Sequence, residues 1–158
     1  MYRIGQSSDI HELVSDRKLI LGGVEIPHEK GLKGHSDADA LCHALAESMI
    51  GALALGDLGT HFPDTDEKYA GMSSLKILVE VYQMVSKEGY ELVNADCLIL
   101  IERPKMKDYI PFMKENISKV LEINENQINI KATRGEKIGF VGREEGVMAQ
   151  AIVLLKRR

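Results

Sequence analysis

Apolar residues recur along this chain at two different spacings, and the spacings predict strands interspersed with helices. Short apolar runs bounded by glycine, proline or charged residues are typical of strands. The first predicted strand is Tyr2–Ile4, which ends at Gly5. Two further strands, Lys18–Leu21 and Val24–Pro27, form a hairpin with Gly22-Gly23 as its turn. The remaining predicted strands are Leu92–Ile101, Ile128–Ala132 and Val147–Leu155. The strand Leu92–Ile101 is apolar at both parities, which predicts cover on both of its faces.

Three further segments have apolar residues at helical spacing. The first begins at the N-cap Ser36 and ends at Gly56. The second covers Ser73–Lys87, and the third covers Ile110–Leu121 with Pro111 in its first turn. We therefore predict an α/β fold, a two-layer sandwich of a mixed sheet with helices on one side, as a single domain over residues 1–158.

Composition excludes several classes of protein. The 20 Lys and Arg against 24 Asp and Glu give a net charge of −4, which argues against a nucleic-acid partner. The two cysteines lack the spacing of a disulfide scaffold or a Cys-rich zinc site. Charged residues near the N-terminus do not suit a signal peptide, and no apolar run reaches the roughly 18 residues of a membrane helix. We expect a cytoplasmic protein without a membrane partner.

Asp9 and His11 provide the first candidate chemistry. Residues two apart in an extended segment point the same way, so this carboxylate and imidazole can form half of a zinc site or belong to a surface turn. His43 lies off the apolar stripe of the first helix, so it is either a third ligand or a half-exposed residue. Asp39, one turn earlier, is a candidate to hold its second ring nitrogen.

Three polar segments are candidates for anion or cation binding. At the predicted helix start, His35 and Ser36 suit a phosphate, although simple capping explains Ser36 equally well. The loop Gly56–Asp66 has three carboxylates, which suit a hard cation, sugar hydroxyls or a solvated turn. The segment Lys131–Lys137, followed by Gly139–Arg143, contains cations and glycine N–H groups that can bind phosphate oxygens. The alternative is a charged hairpin without a ligand. Within this segment, Glu136 is a candidate ligand for a divalent ion.

Taken together, these motifs resemble the 2-C-methyl-D-erythritol 2,4-cyclodiphosphate synthase family of the non-mevalonate isoprenoid pathway. The similarity covers the chain from end to end, in the order found in the family. The segments that carry it are Asp9-x-His11, Ile20–His43, Gly56–Asp66, Pro104-Lys105-Met106 and Gly139–Gly146.

The resemblance implies a metal-dependent phosphorus–oxygen lyase. Its substrate is 4-diphosphocytidyl-2-C-methyl-D-erythritol 2-phosphate, whose 2-phosphate attacks the β-phosphorus and releases CMP. The resemblance places zinc on Asp9, His11 and His43, and a magnesium or manganese ion between the diphosphate phosphates with Glu136 as its ligand. It also implies a homotrimer with active sites between subunits and a central cavity, lined near Arg143, for isoprenoid diphosphates.

The family motifs also assign the remaining substrate contacts. His35 and Ser36 match the pair at the 2-phosphate, with His35 and Arg134 at the positions that assist catalysis. The other matching positions contact methylerythritol, cytidine or diphosphate: Asp57, Gly59, Phe62, Pro63, Asp64, Thr65, Asp66, Ile101, Pro104, Lys105, Met106, Lys107, Thr133, Glu136, Phe140 and Arg143.

Two departures from the family pattern affect the expectations. Arg134-Gly135 stands where the family usually has two threonines, and we predict that Arg134 still contacts phosphate. Gln6-Ser7-Ser8 stands where a glycine and an aromatic are usual, which should alter packing more than metal binding. A non-catalytic trimer that binds isoprenoid phosphates is the alternative function. A phosphoester hydrolase would need a general base that the sequence does not offer.

Overall fold

A mixed sheet forms one layer of the protein, which a computed structural model describes over residues 1–158. Its five strands lie in the order β4-β1-β7-β5-β6, with β5 and β6 parallel and the other neighbours antiparallel. A separate hairpin contains β2 and β3. The strands are β1 Tyr2–Val14, β2 Leu19–Leu21, β3 Val24–Ile26, β4 Gly31–Leu32, β5 Tyr90–Leu100, β6 Ile128–Thr133 and β7 Gly146–Arg157.

Helices cover one face of this sheet and confirm the predicted mixed α/β architecture. They are α1 Ala40–Ala52, α2 Leu58–His61, α3 Ser74–Lys87, α4 Ile110–Leu121 and α5 Gly139–Gly142, with 3₁₀ turns at Glu67–Tyr69 and Glu125–Gln127. The first helix packs on β1 and β7, the third packs on the first, and the fourth lies along β6. None of the helices has the length and apolar character that crossing a membrane requires.

The first strand is much longer than its sequence predicts. It continues past Gly5 and pairs with β7 from Tyr2 opposite Lys156 to Glu12 opposite Gly146. Gly5 therefore does not end the strand. A Cβ atom at Gly5 would meet the carbonyl oxygen of Ser48 and the backbone of Ala52, so this glycine allows α1 to lie close to the sheet.

The predicted bounds of α1 are wrong at both ends. Ala38 has a φ of 59°, which interrupts the helical conformation after Ser36. Asp39 is the N-cap instead, and its side chain accepts a hydrogen bond from the Cys42 N–H. The helix ends at Ala52, four residues before Gly56.

The other long elements agree closely with the sequence. The hairpin turns at Gly22-Gly23, where both φ values are positive, as a tight two-residue turn requires. The second and third predicted helices correspond to α3 and α4 within one residue, and Pro111 lies in the first turn of α4. The short helix α2 lies within a segment predicted as loop, since four residues are too few for a periodic signal.

The outer face of the sheet is open, which contradicts the prediction that β5 is covered on both faces. Ala95, Cys97 and Ile99 point toward the helices and are buried. No helix lies over the opposite face, where Ile10 and Ile152 are 56% and 52% exposed. These apolar residues of the outer face are therefore exposed to solvent in the single chain.

Candidate active site

Asp9, His11 and His43 form a cluster of metal-ligand type at the inner face of the sheet. The Asp9 Oδ2 atom lies 2.9 Å from His11 Nε2 and 3.2 Å from His43 Nδ1, and the two ring nitrogens are 3.3 Å apart. Tetrahedral ligands at about 2.0–2.1 Å from a zinc ion would lie about 3.3 Å from one another. No other group of His, Cys, Asp and Glu in the chain has this arrangement.

The backbone explains how two distant segments build this cluster. Asp9 and His11 are two apart on β1, so both point toward α1. His43 lies in the first turns of α1, the helix that packs on β1. A strand and a helix therefore fix the three side chains, which suits a preformed site.

The outer ring nitrogens of both histidines have hydrogen-bond partners. The His11 Nδ1 atom lies 2.8 Å from the carbonyl oxygen of Lys33, to which it donates. The His43 Nε2 atom lies 2.8 Å from Ser74 Oγ and 3.1 Å from Ser36 Oγ. A carbonyl can only accept, so the proton on Nδ1 is fixed by Lys33, and Nε2 is the His11 nitrogen that faces the cluster and would ligate a bound metal.

Asp39 does not hold His43, which corrects the sequence-based prediction. Its carboxylate is fully buried and accepts from the N–H groups of Gly22, Gly23 and Cys42. Burial raises the pKa of Asp39, against the lowering effect of these backbone donors. Asp39 therefore joins the β2–β3 turn to the start of α1, and serines take the place beside His43.

Asp9 and His11 perturb each other in the metal-free site. Burial acts to raise the pKa of Asp9, but hydrogen bonds from His11 and His43 outweigh it and lower this pKa to about 2. Burial is the largest single effect on His11 and acts to lower its pKa, but the hydrogen bond to Asp9, the negative charge of Asp9 and the hydrogen bond to the Lys33 carbonyl together raise this pKa above its ordinary value. A strongly negative oxygen thus faces two imidazoles, which is the charge pattern that a divalent cation would neutralise.

A cavity of about 210 Å³ opens directly beside the cluster. Its walls are His11, Gly34, His35, Ser36, His43, Leu58, Phe62, Asp64, Tyr69 and Ile77. His35 is held by a 2.9 Å hydrogen bond between its Nε2 atom and the carbonyl oxygen of Asp66. The structure thus brings His35, Ser36, Phe62 and Asp64 together with the cluster, as the family motifs imply.

Ser36 lines the cavity from a position before α1, and not as the N-cap that the sequence predicts. It lies three residues before the N-cap, and its Oγ atom accepts from the N–H of Ala38 at 3.2 Å. The Asp39 carboxylate already binds an N–H of the first turn of α1. His35 and Ser36 therefore lie outside the helix N-terminus, and Ser36 offers a hydroxyl to the cavity rather than the backbone N–H groups of a helix start.

The carboxylates of the loop after α1 do not converge on one ion. Asp57 caps α2 by accepting from the N–H and hydroxyl of Thr60 at 2.9 and 2.7 Å. Asp66 caps the 3₁₀ turn by accepting from the Lys68 N–H. Only Asp64 lines the cavity. Hydrogen bonding of Asp57 to Thr60 also lowers the pKa of Asp57.

A second, larger cavity of about 540 Å³ lies where β5 and β6 end. Its lining includes the remaining predicted cytidine and diphosphate residues, namely Ile101, Pro104, Lys105, Met106, Lys107, Thr133, Arg134 and Glu136. Glu102 fixes the loop by accepting from the Gly135 N–H at 2.8 Å. A Cβ atom at Gly135 would collide with Gly142, so the local fold requires glycine there.

Several predicted residues lie outside both cavities. Gly59 and Thr65 are exposed, and Pro63 is half-buried in the loop that carries Phe62 and Asp64. Phe140 packs near Gly146, and Arg143 forms an ion pair with Glu145 at 2.7 Å. Lys131 pairs with Asp96 at 2.6 Å on the open face of the sheet, so it does not contribute to the second cavity.

Sequence reasoning missed residues whose contacts arise only from folding. Tyr69 lines the metal-site cavity and packs edge-on against Phe62, with ring centroids 5.3 Å apart. Glu47 contacts the Ser7 hydroxyl and also accepts from the Leu58 N–H at 3.1 Å, which links β1 to α2. No short-range pattern marks such residues. The Ser7–Glu47 contact gives the Gln6-Ser7-Ser8 segment a packing role.

Comparison with known proteins agrees with this site. The YgbB family model matches residues 2–156. The chain belongs to the YgbB family. A relative from a Geobacillus species, named 2-C-methyl-D-erythritol 2,4-cyclodiphosphate synthase, is 55% identical over 158 residues, which is the full length of both chains. The resemblance inferred from the motifs is confirmed.

Two solved structures show that the YgbB fold extends over the whole chain. Bifunctional IspDF from Campylobacter jejuni is 41% identical with a TM-score of 0.96; it matches all of this chain, which spans 43% of the bifunctional protein. IspF from Plasmodium falciparum, in complex with CDP, is 32% identical with a TM-score of 0.88, over 99% of this chain and 97% of its own.

Proposed function

We propose that this chain converts 4-diphosphocytidyl-2-C-methyl-D-erythritol 2-phosphate into 2-C-methyl-D-erythritol 2,4-cyclodiphosphate and CMP, a step in isoprenoid precursor biosynthesis. The observation that carries the proposal is the convergence of Asp9, His11 and His43 beside a cavity lined by His35 and Ser36. The names of the relatives, and a neighbour solved with CDP, support the same substrate class.

The donor set and its spacing fit zinc, which we propose as the bound metal. Two imidazole nitrogens and one carboxylate oxygen are ligands that zinc accepts, and three protein ligands leave a fourth position open. When bound, zinc would act as a Lewis acid toward a phosphate oxygen and as a template for the substrate. The Lys33 carbonyl and Ser74 hydroxyl orient the two imidazoles for this task.

The reaction needs positioning and charge neutralisation rather than a protein nucleophile. An oxygen of the 2-phosphate forms a bond to the β-phosphorus, and the bond from that phosphorus to the bridging oxygen breaks, so that CMP leaves with this oxygen. We assign His35 and Ser36 to hold the 2-phosphate in line. The hydrogen bond between His35 Nε2 and the Asp66 carbonyl oxygen fixes the orientation of this ring beside Ser36.

The second cavity suits the cytidine and diphosphate ends of the substrate. Backbone groups of Pro104–Lys107 can contact the base edge, while Thr133 and Arg134 face phosphate oxygens. Glu136 is the exposed carboxylate that we assign to a magnesium or manganese ion. The methylerythritol portion then lies against Asp57, Gly59 and Phe62–Asp66, while Phe140 and Arg143 complete the binding set.

We further propose that three copies of the chain assemble through the open face of the sheet. This face carries Ile4, Ile10 and Ile152, each more than half exposed. The metal-site cavity and the cytidine cavity of one chain share no lining residue. A neighbouring subunit that brings its cytidine cavity to this metal site would complete the active site between subunits.

The same assembly leaves room for a second ligand. Arg143 is an exposed cation at the end of α5, and we propose that an isoprenoid diphosphate in the central cavity of the trimer binds near it. A trimer that only binds such phosphates is the alternative function. The complete ligand cluster favours catalysis, since binding alone requires no metal. The cytoplasmic location stays a prediction from the sequence.

A CMP-release assay tests the proposal directly. The purified protein, supplied with the cytidyl substrate, zinc and magnesium, should release CMP and form a cyclic diphosphate detectable by ³¹P NMR. His43→Ala should lose bound zinc and CMP release together, because one of three ligands is absent. If the folded, zinc-loaded chain releases no CMP, only the binding function remains; full zinc content in His43→Ala would remove this residue from the ligand set.

A further inference from the structure

We propose that Ser74, supported by Asp37, is a positioning residue that sets the orientation of His43 and thereby the affinity of the site for zinc. This inference rests on the proposed metal site and extends it beyond the three ligands. Ser74 lies 31 residues from His43 along the chain, at the first position of α3, and its side chain is fully buried.

A continuous chain of hydrogen bonds connects Asp37 to the metal cluster. The Ser74 hydroxyl contacts Asp37 Oδ1, and Ser74 Oγ lies 2.8 Å from His43 Nε2. The opposite ring nitrogen, His43 Nδ1, lies 3.2 Å from Asp9 Oδ2 within the cluster. One path thus runs from a carboxylate through a hydroxyl and an imidazole to the cluster.

The chemistry of these groups fixes the direction of each hydrogen bond. The Asp37 Oδ1 atom also accepts from the Asp39 N–H, as an ionised carboxylate does. The Ser74 hydroxyl must therefore donate to Asp37, since two acceptor oxygens in contact would repel each other. The Ser74 oxygen then accepts a hydrogen bond from the N–H at His43 Nε2. This arrangement aims His43 Nδ1 at the cluster, where it would be the unprotonated ligand of a bound zinc ion.

Ser36 is the competing partner of His43, and its hydrogen bonds distinguish it. Its Oγ atom is 3.1 Å from His43 Nε2, further than Ser74, and it also accepts from the Ala38 N–H. No acceptor within the chain holds the Ser36 hydroxyl proton, which therefore stays available for a substrate phosphate. The two serines therefore have different roles: Ser74 orients the metal ligand His43, and Ser36 binds the substrate phosphate.

A simple capping role for Asp37 is the structural alternative. Asp37 Oδ2 accepts from the Ser74 N–H at 3.0 Å, and so caps α3 from outside the helix. This backbone contact survives in Ser74→Ala, whereas the hydroxyl relay does not. The variant therefore separates the capping of α3 from the positioning of His43.

Zinc affinity is the decisive measurement. Competition with a chelator should show zinc binding 10–100-fold weaker in Ser74→Ala than in the unchanged protein, which is about the effect of losing a hydrogen bond to a metal-ligating histidine. The cobalt(II)-loaded variant should also show altered d–d absorption, because the imidazole is free to rotate. Ser74→Thr, which keeps the hydroxyl, should bind zinc more tightly than Ser74→Ala.

Two variants serve as controls. Ser48→Ala removes another fully buried hydroxyl, one that donates to the Leu45 carbonyl within α1, and should leave zinc affinity unchanged. Ser36→Ala should raise the KM for substrate while zinc affinity changes by less than about threefold. If Ser36→Ala loses zinc and Ser74→Ala does not, the assignment of the two serines is overturned.

The outcomes separate this inference from the proposed function. If the unchanged protein binds zinc and Ser74→Ala binds it equally, the inference fails and the proposed function stands. If the unchanged protein binds no zinc at these residues, both fail. NMR of the zinc-loaded, unchanged protein needs no variant: the His43 Nε2 proton should exchange slowly because its acceptor is buried, and rapid exchange with water would overturn the proposal.

Discussion

At the scale of single residues, Asp9 links the stability of the protein to the chemistry of its site. Its carboxylate is held between His11 and His43, and this contact lowers the pKa of Asp9 to about 2 while raising that of His11. A group whose pKa falls on folding stabilises the folded state above its unfolded pKa, and a group whose pKa rises does so below it. The Asp9–His11 pair therefore stabilises the metal-free protein only within a window of pH.

Replacing Asp9 should reveal this window. In chelator-treated protein, the contribution of Asp9 to the free energy of unfolding is fully present above pH 3.8 and disappears as the pH falls through about 2. The His11 contribution is present below pH 6.5 and disappears as pH rises through the raised pKa. Urea unfolding should therefore show the largest difference between the unchanged protein and Asp9→Asn between pH 3.8 and 6.5. A difference that does not vary with pH would contradict the assigned pKa shifts.

Arg134 lies at one of the two places where the sequence departs from the family pattern. It is exposed, lines the second cavity of about 540 Å³, and forms no ion pair within the chain. A guanidinium can hold two phosphate oxygens at once, unlike the hydroxyl of the usual threonine. The close approach of Gly142 explains the glycine at position 135, which directly follows Arg134.

Loss of the Arg134 charge should slow catalysis. We expect Arg134→Ala to lower kcat/KM by about 10–100-fold, corresponding to a charged hydrogen bond of roughly 1.5–3 kcal/mol. The kcat/KM of Arg134→Thr should lie between the values of Arg134→Ala and the unchanged protein. The zinc content should not change in either variant, since Arg134 is not among the proposed metal ligands. An unaltered kcat/KM, or a ligand-bound structure with the guanidinium in solvent, would contradict the assigned role.

At the scale of elements, the close contact of α1 with β1 positions the metal site. Two ligands lie on the strand and one on the helix, so their spacing depends on the distance between the two elements. Gly5 permits this distance, because a Cβ atom there would lie 2.8 Å from the backbone nitrogen of Ala52. Packing at Gly5 thus controls a site four residues further along the strand.

Enlarging Gly5 should separate the two elements. Gly5→Ala should reduce the free energy of unfolding by about 1–3 kcal/mol and weaken zinc binding, because overpacking moves α1 away from β1. Gly51 is the matched control: it lies on the same helix with open space around it, and Gly51→Ala should stabilise the protein by about 0.5–1 kcal/mol. Denaturant unfolding and chelator competition measure both effects; unchanged zinc affinity in Gly5→Ala would exclude this coupling.

At the scale of the whole molecule, the proposed assembly through the open face of the sheet would complete the active site. The chain covers the inner face with helices and leaves apolar residues of β1 and β7 exposed on the outer face. One metal-site cavity of about 210 Å³ holds only part of a cytidyl diphosphate substrate. Assembly through this face would bury the apolar residues and bring two kinds of cavity together.

A charge on the open face should dissociate the assembly. Ile152→Glu places a carboxylate in the middle of β7, and burying it unpaired would cost about 3–5 kcal/mol. Sedimentation should show a monomer that binds zinc but has lost CMP release. Phe112→Glu alters an equally exposed apolar residue on α4 and should remain trimeric and active. A trimer that persists in Ile152→Glu would exclude the open face as the interface.

From the sequence alone, most of the long elements and the three candidate metal ligands could be predicted. Helical spacing located α3 and α4 within one residue, since their periodicity is long and regular. Asp9-x-His11 and the segment around His43 were enough to propose a metal, because ligand type is a property of the residues themselves. The motif order identified the family over the whole chain.

Only the tertiary structure decided which partners each residue has. Gly5 reads locally as the end of a strand, yet it permits helix packing from 43 residues away. Ser74 has no sequence signal, since its contact with His43 arises when α3 packs on α1. Asp39 binds the N–H groups of the turn at Gly22-Gly23 rather than His43, one helical turn away. Local patterns record short-range preferences, whereas hydrogen bonds between distant segments form only when the elements have packed.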